Sequence, residues 1–224
     1  MLRRILVGIV CPIAFGVVAC GGGSSSNSSP STPTAPSTPV QANRPPVINS
    51  MNFAPTFGIA QLTQFSFNAS ASDPDGDAMT YAWDVEGNAL SGTDGAITLA
   101  TAVNGTARVT VTDSKGATAT DTRTFTVASA TGKWTGLWSI WVFTSNLTQN
   151  GTAVSGDYSD SLGPGQVDPA VANTIDANGN VKMRIKRASL RDVTFTGTID
   201  QTGRRMTGVV NGTGVVDVPF IMVK

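Results

Sequence analysis

Asp73, Asp75 and Asp77 alternate within Asp73-Pro74-Asp75-Gly76-Asp77, a spacing that can aim several carboxylate oxygens at one hard cation. Ca²⁺ takes about six to eight oxygens, so Asp84, Glu86 or backbone carbonyls would have to complete the shell, and no glutamate closes a twelve-residue loop. The same residues also suit a tight connection in which Asp side chains accept backbone amides and Gly76 takes a positive φ. Trp134, Trp138 and Trp141 crowd into eight residues, with Leu137, Ile140, Val142 and Phe143 between them. They offer either an aromatic platform for a sugar ring, to which Tyr158 adds a ring, or core plus an interface. Lys182, Arg184 and Lys186 alternate with Val181, Met183 and Ile185, a cationic stripe that could meet lipopolysaccharide phosphates, an acidic polysaccharide or the acidic residues 44–130 of the same chain, or simply face solvent. Asp157, Asp160, Asp168 and Asp192 are the carboxylates from which a glycosidase-like pair would have to come, two of them facing across a cleft of roughly 5–10 Å.

Composition narrows this chemistry. Histidine is absent, which removes the commonest general base, the usual zinc ligand and the partner that Ser189 or any other serine would need as a nucleophile. The two cysteines are Cys11 and Cys20. Residues 44–130 carry four basic and eight acidic side chains and residues 131–224 nine and seven, neither of which suits nucleic acid. The chain is expected not to be an enzyme.

Arg3 and Arg4 precede an apolar run from Ile5 to Val18, too short for a stable span and interrupted by Pro12, as in a cleaved signal peptide over residues 1–19. The run ends in Val17-Val18-Ala19-Cys20, which resembles the lipobox of bacterial lipoproteins, with Val17 where that family usually has Leu. The resemblance implies cleavage before Cys20, diacylglycerol on its sulfur and anchoring to a membrane by several acyl chains. Gly21 at the next position, in place of Asp, implies the outer membrane of a Gram-negative host, facing periplasm or cell surface. Cys20 would then be the sole thiol of the mature chain, leaving no disulfide or thiolate site. Residues 20–43 read as a Gly/Ser- then Pro/Thr-rich linker, about 70 Å long if drawn out as polyproline II.

Residues 44–129 alternate on a period of two: Phe65, Phe67 and Ala69 share a face, as do Met79, Tyr81, Trp83 and Val85, and Ala107, Val109 and Val111. Turn signals at 73–77, 86–88 and 113–116 separate short strands of a sandwich, with Trp83 as its core plug. Ala71-Ser72-Asp73-Pro74-Asp75-Gly76-Asp77, Thr80-Tyr81-Ala82-Trp83-Asp84 and Val109-Thr110-Val111-Thr112-Asp113 resemble the PKD domain, although Val85-Glu86-Gly87-Asn88 stands where that family usually has Phe-Gly-Asp-Gly. The resemblance implies an immunoglobulin-like β-sandwich acting as a non-catalytic spacer or adhesive module, with a glycan or another envelope protein as its partner.

In residues 131–224, hairpin signals at Asn150-Gly151, Asn178-Gly179 and Thr202-Gly203 separate five alternating segments: 154–158, 181–185, 193–199, 206–210 and 216–222. An antiparallel up-and-down barrel follows, because an open sheet would leave two raw edges. Gly132-Lys133-Trp134 is similar to the Gly-x-Trp of lipocalins, and Leu147–Gly151 with Val154–Tyr158 is similar to the early hairpin of avidin-type barrels. That resemblance implies the architecture, with a cup for a small or lipidic ligand as the alternative role; a barrel this small is expected to fill its lumen with side chains. Residues 134–143 are expected to run as one strand with Trp134, Trp138, Ile140 and Val142 on one face and Leu137, Trp141 and Phe143 on the other, a single helical stripe being the competing reading.

Overall fold

The structure is a computed structural model that describes residues 41–188 and 190–224. The signal segment, Cys20, most of the linker and Ser189 lie outside the described residues. Everything described is strand, turn or irregular connection.

The first module holds β1 (Val47–Ala54), β2 (Phe57–Ile59), β3 (Gln64–Ser72), β4 (Met79–Val85), β5 (Asn88–Ser91), β6 (Asp94–Thr98), β7 (Val103–Asp113) and β8 (Thr118–Ala128). They form a three-stranded sheet, β1-β3-β6, and a five-stranded sheet, β2-β8-β7-β4-β5, in which only β2 runs parallel to its neighbour. Alternate residues of the two sheets face one another, as the period-two pattern requires. Phe53, Phe65 and Phe125 stack at ring separations of 4.8–5.4 Å, and Trp83 lies 4.6 Å from Phe67 with its indole N–H donating to the Gly92 carbonyl. Trp83 is thus the core plug, its one polar atom satisfied.

The second module holds β9 (Gly132–Trp138), β10 (Trp141–Asn150), β11 (Ala153–Asp160), β12 (Gly163–Val167), β13 (Thr174–Ile175), β14 (Asn180–Arg187), β15 (Val193–Ile199), β16 (Arg205–Gly212) and β17 (Val215–Val223). β9, β10, β11, β12, β14, β15, β16 and β17 pair in a ring, all antiparallel, and β17 closes on β9, so the sheet is an eight-stranded barrel without edges. Short β13 bridges β11 and β14 at one end.

Eight strands leave an interior just wide enough for side chains, and this one is filled. Phe143, Tyr158, Phe195 and Phe220 form a chain of rings at 5.0–6.0 Å, packed with Trp134, Trp138 and Met183. Inward glycines make the room. A Cβ on Gly208 would meet the Thr196 carbonyl at 2.0 Å and the Phe220 ring at 2.8 Å.

Two expectations about this module need correction. Residues 134–143 are neither one strand nor a helix: Ser139, at a φ of 52°, and Ile140 turn the chain between β9 and β10, so Trp141 pairs back on Trp138. In β17 the alternation slips. An irregularity between Val210 and Gly212, with Asp217 at a φ of 47°, turns Val215 and Val218 inward and leaves Val216 exposed. β12 lies between β11 and β14 although it opens with Gly163-Pro164-Gly165.

The modules share a wall. Ile59, Ala128 and Ala130 belong to the barrel's core cluster, with Phe57 and Leu62 packed against it. The core residues described lie between Ile48 and Met222, and residues 42–224 form one compact unit.

Candidate functional site

The Asp73–Asp77 turn sits between β3 and β4. One oxygen of Asp73 accepts the amides of Asp75 and Asp77, and the Asp73 carbonyl accepts the amide of Gly76, whose φ is 77°. This is the tight Asx-type connection. Facing carboxylate oxygens of the three residues lie within 4.8 Å of one another, close enough for a cation. Cationic side chains already stand there: the Arg44 guanidinium bonds Asp75 at 2.7 Å and the Lys115 ammonium lies 3.0 Å from Asp77. The Arg44 side chain and amide hold the Asp75 carboxyl below its ordinary range, and Asp77 raises the Lys115 ammonium. The triad therefore joins the N-terminal entry of the chain to the β7–β8 turn, where Asn43 bonds Asp113 at 2.8 Å.

The aromatic platform is not formed as expected. Trp134, Trp138 and Tyr158 are buried inside the barrel; only Trp141 reaches its rim, half-buried. Inward alternation on β9 and β11 drives this, since a strand lining a closed barrel must spend its large apolar residues on the lumen. Trp134 donates to the Ala130 carbonyl at 2.7 Å, with the Lys224 ammonium 4.9 Å from its ring. Trp138 donates to the Tyr158 hydroxyl at 3.1 Å, which in turn donates to Asp160 at 2.9 Å. Burial pushes the Tyr158 hydroxyl well above its ordinary range, and Asp160 pushes the same way.

The cationic stripe is interrupted. Lys182, Arg184 and Lys186 do share the outer face of β14, but the Arg184 guanidinium is held between Asp192 at 2.7 Å and Asp168 at 3.5 Å. Arg184 keeps the Asp192 carboxyl below its ordinary range. That same clamp occupies two of the four carboxylates from which a catalytic pair could come. Asp157 accepts the amide and side chain of Asn146, and Asp160, its side chain wholly buried, pairs with Arg187 at 3.4 Å.

Two groupings escaped the sequence reading. The first is Asp160–Arg187 with Tyr158 and Trp138. The second is Gln149, only 5% exposed at the wall between the modules. Its carbonyl oxygen accepts the Ser129 hydroxyl at 2.9 Å and the Ala130 amide at 3.0 Å, while its NH₂ donates to the Ala60 carbonyl at 2.8 Å and the Gly151 carbonyl at 3.1 Å. Every hydrogen-bonding position that an amide commonly uses is taken, by both modules and the link between them. The signal was present: Phe143, Ser145, Leu147 and Gln149 alternate inward on β10, and a glutamine at a lumen position needs buried partners. Around it, the Gly151 amide donates to the Gln61 side chain, Thr63 to the Ala177 carbonyl, and Lys224 to the Ser129 carbonyl.

Comparison with known proteins agrees with the first module's geometry. A family model described as PKD domain matches residues 43–128. The PKD1 domain of Vibrio anguillarum Epp is 33% identical over 38% of this chain and 96% of its own, with a TM-score of 0.30. A structure described as carbohydrate-binding modules of the β-sandwich superfamily is 15% identical, covering 82% of this chain and 92% of its own at a TM-score of 0.37. The Bacteroides ovatus mixed-linkage glucan utilization locus protein SGBP-B, solved with a mixed-linkage heptasaccharide, is 12% identical over 81% of this chain and 61% of its own, at a TM-score of 0.29. No curated protein matches. Over residues 43–128, with its two facing sheets, its Trp83 plug and its Asp73–Asp77 turn, this chain belongs to the PKD domain family.

Proposed function

We propose that this chain is a non-enzymatic lipoprotein of the bacterial cell envelope, tethered through Cys20 to the outer membrane and carrying a rigid pair of modules. The joint at Gln149 supports the rigid pairing of the modules. A flexible tether between two modules would need no buried amide bonded to both sides, whereas Gln149 and the shared Ile59 wall tie the PKD domain and the barrel into one body. The barrel lumen goes to packing, which supports a structural or adhesive role over capture of a small ligand inside it. Membership of the PKD family, together with a Ser/Pro/Thr-rich stretch behind the Val17–Cys20 motif, supports presentation toward a glycan or another envelope protein.

The test is fractionation of the full chain and its Cys20→Ser variant in a Gram-negative host. The parent should sediment with outer membranes and carry the added mass of diacylglycerol and acyl chains on its N-terminal cysteine, and the variant should not be acylated. An unmodified parent in the soluble periplasm would overturn the tether.

A further inference from the structure

Up-and-down connectivity sorts the barrel's connections into two groups. Those at 151–152, 168–179 and 200–204 lie at the end that meets the PKD domain, where Gly151 bonds Gln61, Ala177 bonds Thr63 and Gly203 approaches Ala128. Those at 139–140, 161–162, 188–192 and 213–214 lie at the opposite end. The large aliphatic side chains left exposed are distributed unevenly between the ends. Ile140 is 80% exposed, Val216 76%, Leu162 49% and Leu190 40%, and each belongs to or adjoins a different hairpin of the far end. Val142 and Leu137 stand exposed beside the first of them. The PKD-facing connections carry no exposed large aliphatic residue among the described residues, and Val223, 45% exposed opposite Arg205, is the one that adjoins that end.

Folding does not ask for these side chains. A two-residue hairpin favours Gly, Asn, Asp or Ser, and an exposed β-branched residue such as Ile140 gains nothing there from burial. The charges around them are lopsided. Asp160 is buried against Arg187 and Asp192 is clamped by Arg184, while Lys186 and Arg191 are exposed and make no ion pair among the described residues. Asp217, bonded to Asn211, is the exposed carboxylate of this end. Aliphatic tips around a ring touch a flat surface together, and unpaired cations beside them complement phosphate. Exposed apolar groups rimmed by basic residues are what seats a protein at an anionic bilayer interface.

We propose that the far end of the barrel is a membrane-docking face, with Ile140, Leu162, Leu190 and Val216 entering the interface of an anionic phospholipid layer and Lys186 and Arg191 meeting its phosphates. Every residue named for this face lies between Ile140 and Val216, so a fragment without the Cys20 anchor carries it whole. Residues 42–224, which lack that anchor, should co-sediment with phosphatidylglycerol/phosphatidylcholine vesicles, and more weakly with pure phosphatidylcholine. Ile140→Asp with Val216→Asp should lower the partition coefficient by at least about tenfold. Lys186→Gln and Arg191→Gln should each lower it by about fivefold at low salt, with the difference shrinking at high salt. Val47→Asp, which removes an exposed aliphatic residue of β1 in the PKD domain (51% exposed), should change nothing. Unchanged circular dichroism melts certify that each variant is folded. The proposal is overturned if the parent fragment stays in the supernatant, if Val47→Asp is as harmful as the rim variants, or if sedimentation velocity without lipid shows self-association that the rim variants abolish, which would assign the face to a second copy.

Discussion

Arg187 and Asp160 show how much a single buried pair can decide. Arg187's side chain is 8% exposed and Asp160's not at all, and the carboxylate also accepts the Tyr158 hydroxyl and the Leu162 amide. Removing one partner of a buried pair leaves an uncompensated charge, at a cost of about 3–5 kcal/mol. Arg187→Met should therefore lower unfolding stability by about that much in urea titration, and adding Asp160→Asn should recover part of the loss, because the stranded charge is gone. A second residue-scale prediction concerns acid. Burial pushes the Asp113 carboxyl up, but the Asn43 side chain and the amides of Ala117, Lys115 and Gly116 outweigh it, so it sits below its ordinary 3.8. Asp176 and Asp200, in the turns before β14 and β16, are lowered too: Asn180's side chain leads at Asp176, and at Asp200 the Thr202 hydroxyl and nearby amides outweigh burial. A carboxyl depressed in the folded state stabilises it above the unfolded value and loses that contribution as pH falls through the folded one. Thermal melts should thus be flat between about pH 5 and 7 and drop below about pH 4, and Asp113→Asn should flatten part of that drop.

At the scale of the element, Gly156 in β11 is the sharpest constraint. Its φ is 146°, and a Cβ there would stand 2.1 Å from the Asn146 carbonyl oxygen of β10. Backbone cannot move aside as a flexible side chain can, so Gly156→Ala should cost about 2–4 kcal/mol, read as a lower urea midpoint with little change in slope. The same sheet explains which strands could be read in advance. Asn150-Gly151, Asn178-Gly179 and Thr202-Gly203 mark hairpins at the PKD-facing end, and the segments bounded by them, such as 181–185 and 193–199, turn their alternate residues inward as expected. Not every far-end hairpin has such a cue, although Thr213-Gly214 does. Ser139-Ile140 has no glycine, so Trp134 to Phe143 looked continuous, and Gly165 to Val167 pair with β14 although Gly163-Pro164-Gly165 consists of turn-forming residues. Cross-strand pairing overrides local turn chemistry where a barrel must close.

For the whole molecule, the wall between the modules sets the behaviour. If Gln149 and Ile59 unite the two cores, calorimetry of residues 42–224 should show one transition. Gln149→Ala strands the Ala130 amide and the Ala60 and Gly151 carbonyls in a buried place, and should cost about 2–4 kcal/mol and broaden or split that transition. Two transitions in the parent would mean that the modules fold independently and that the joint is weaker than its hydrogen bonds suggest.

The sequence alone pointed to the all-β character, the PKD resemblance and an antiparallel barrel, because period-two alternation and Asn-Gly turns act locally and survive in any register. It also set out Cys20 and the linker, whose chemistry depends on neighbours in the chain. Only the tertiary structure decided that Trp134 and Trp138 are core and not a platform, that Asp192 and Asp168 share Arg184, and that Gln149 bonds across two modules. It alone gathered the exposed aliphatic tips at one end of the barrel. Each of these depends on which residues far apart in sequence meet once β17 closes on β9, and closure is a property of the ring as a whole, invisible to any one strand.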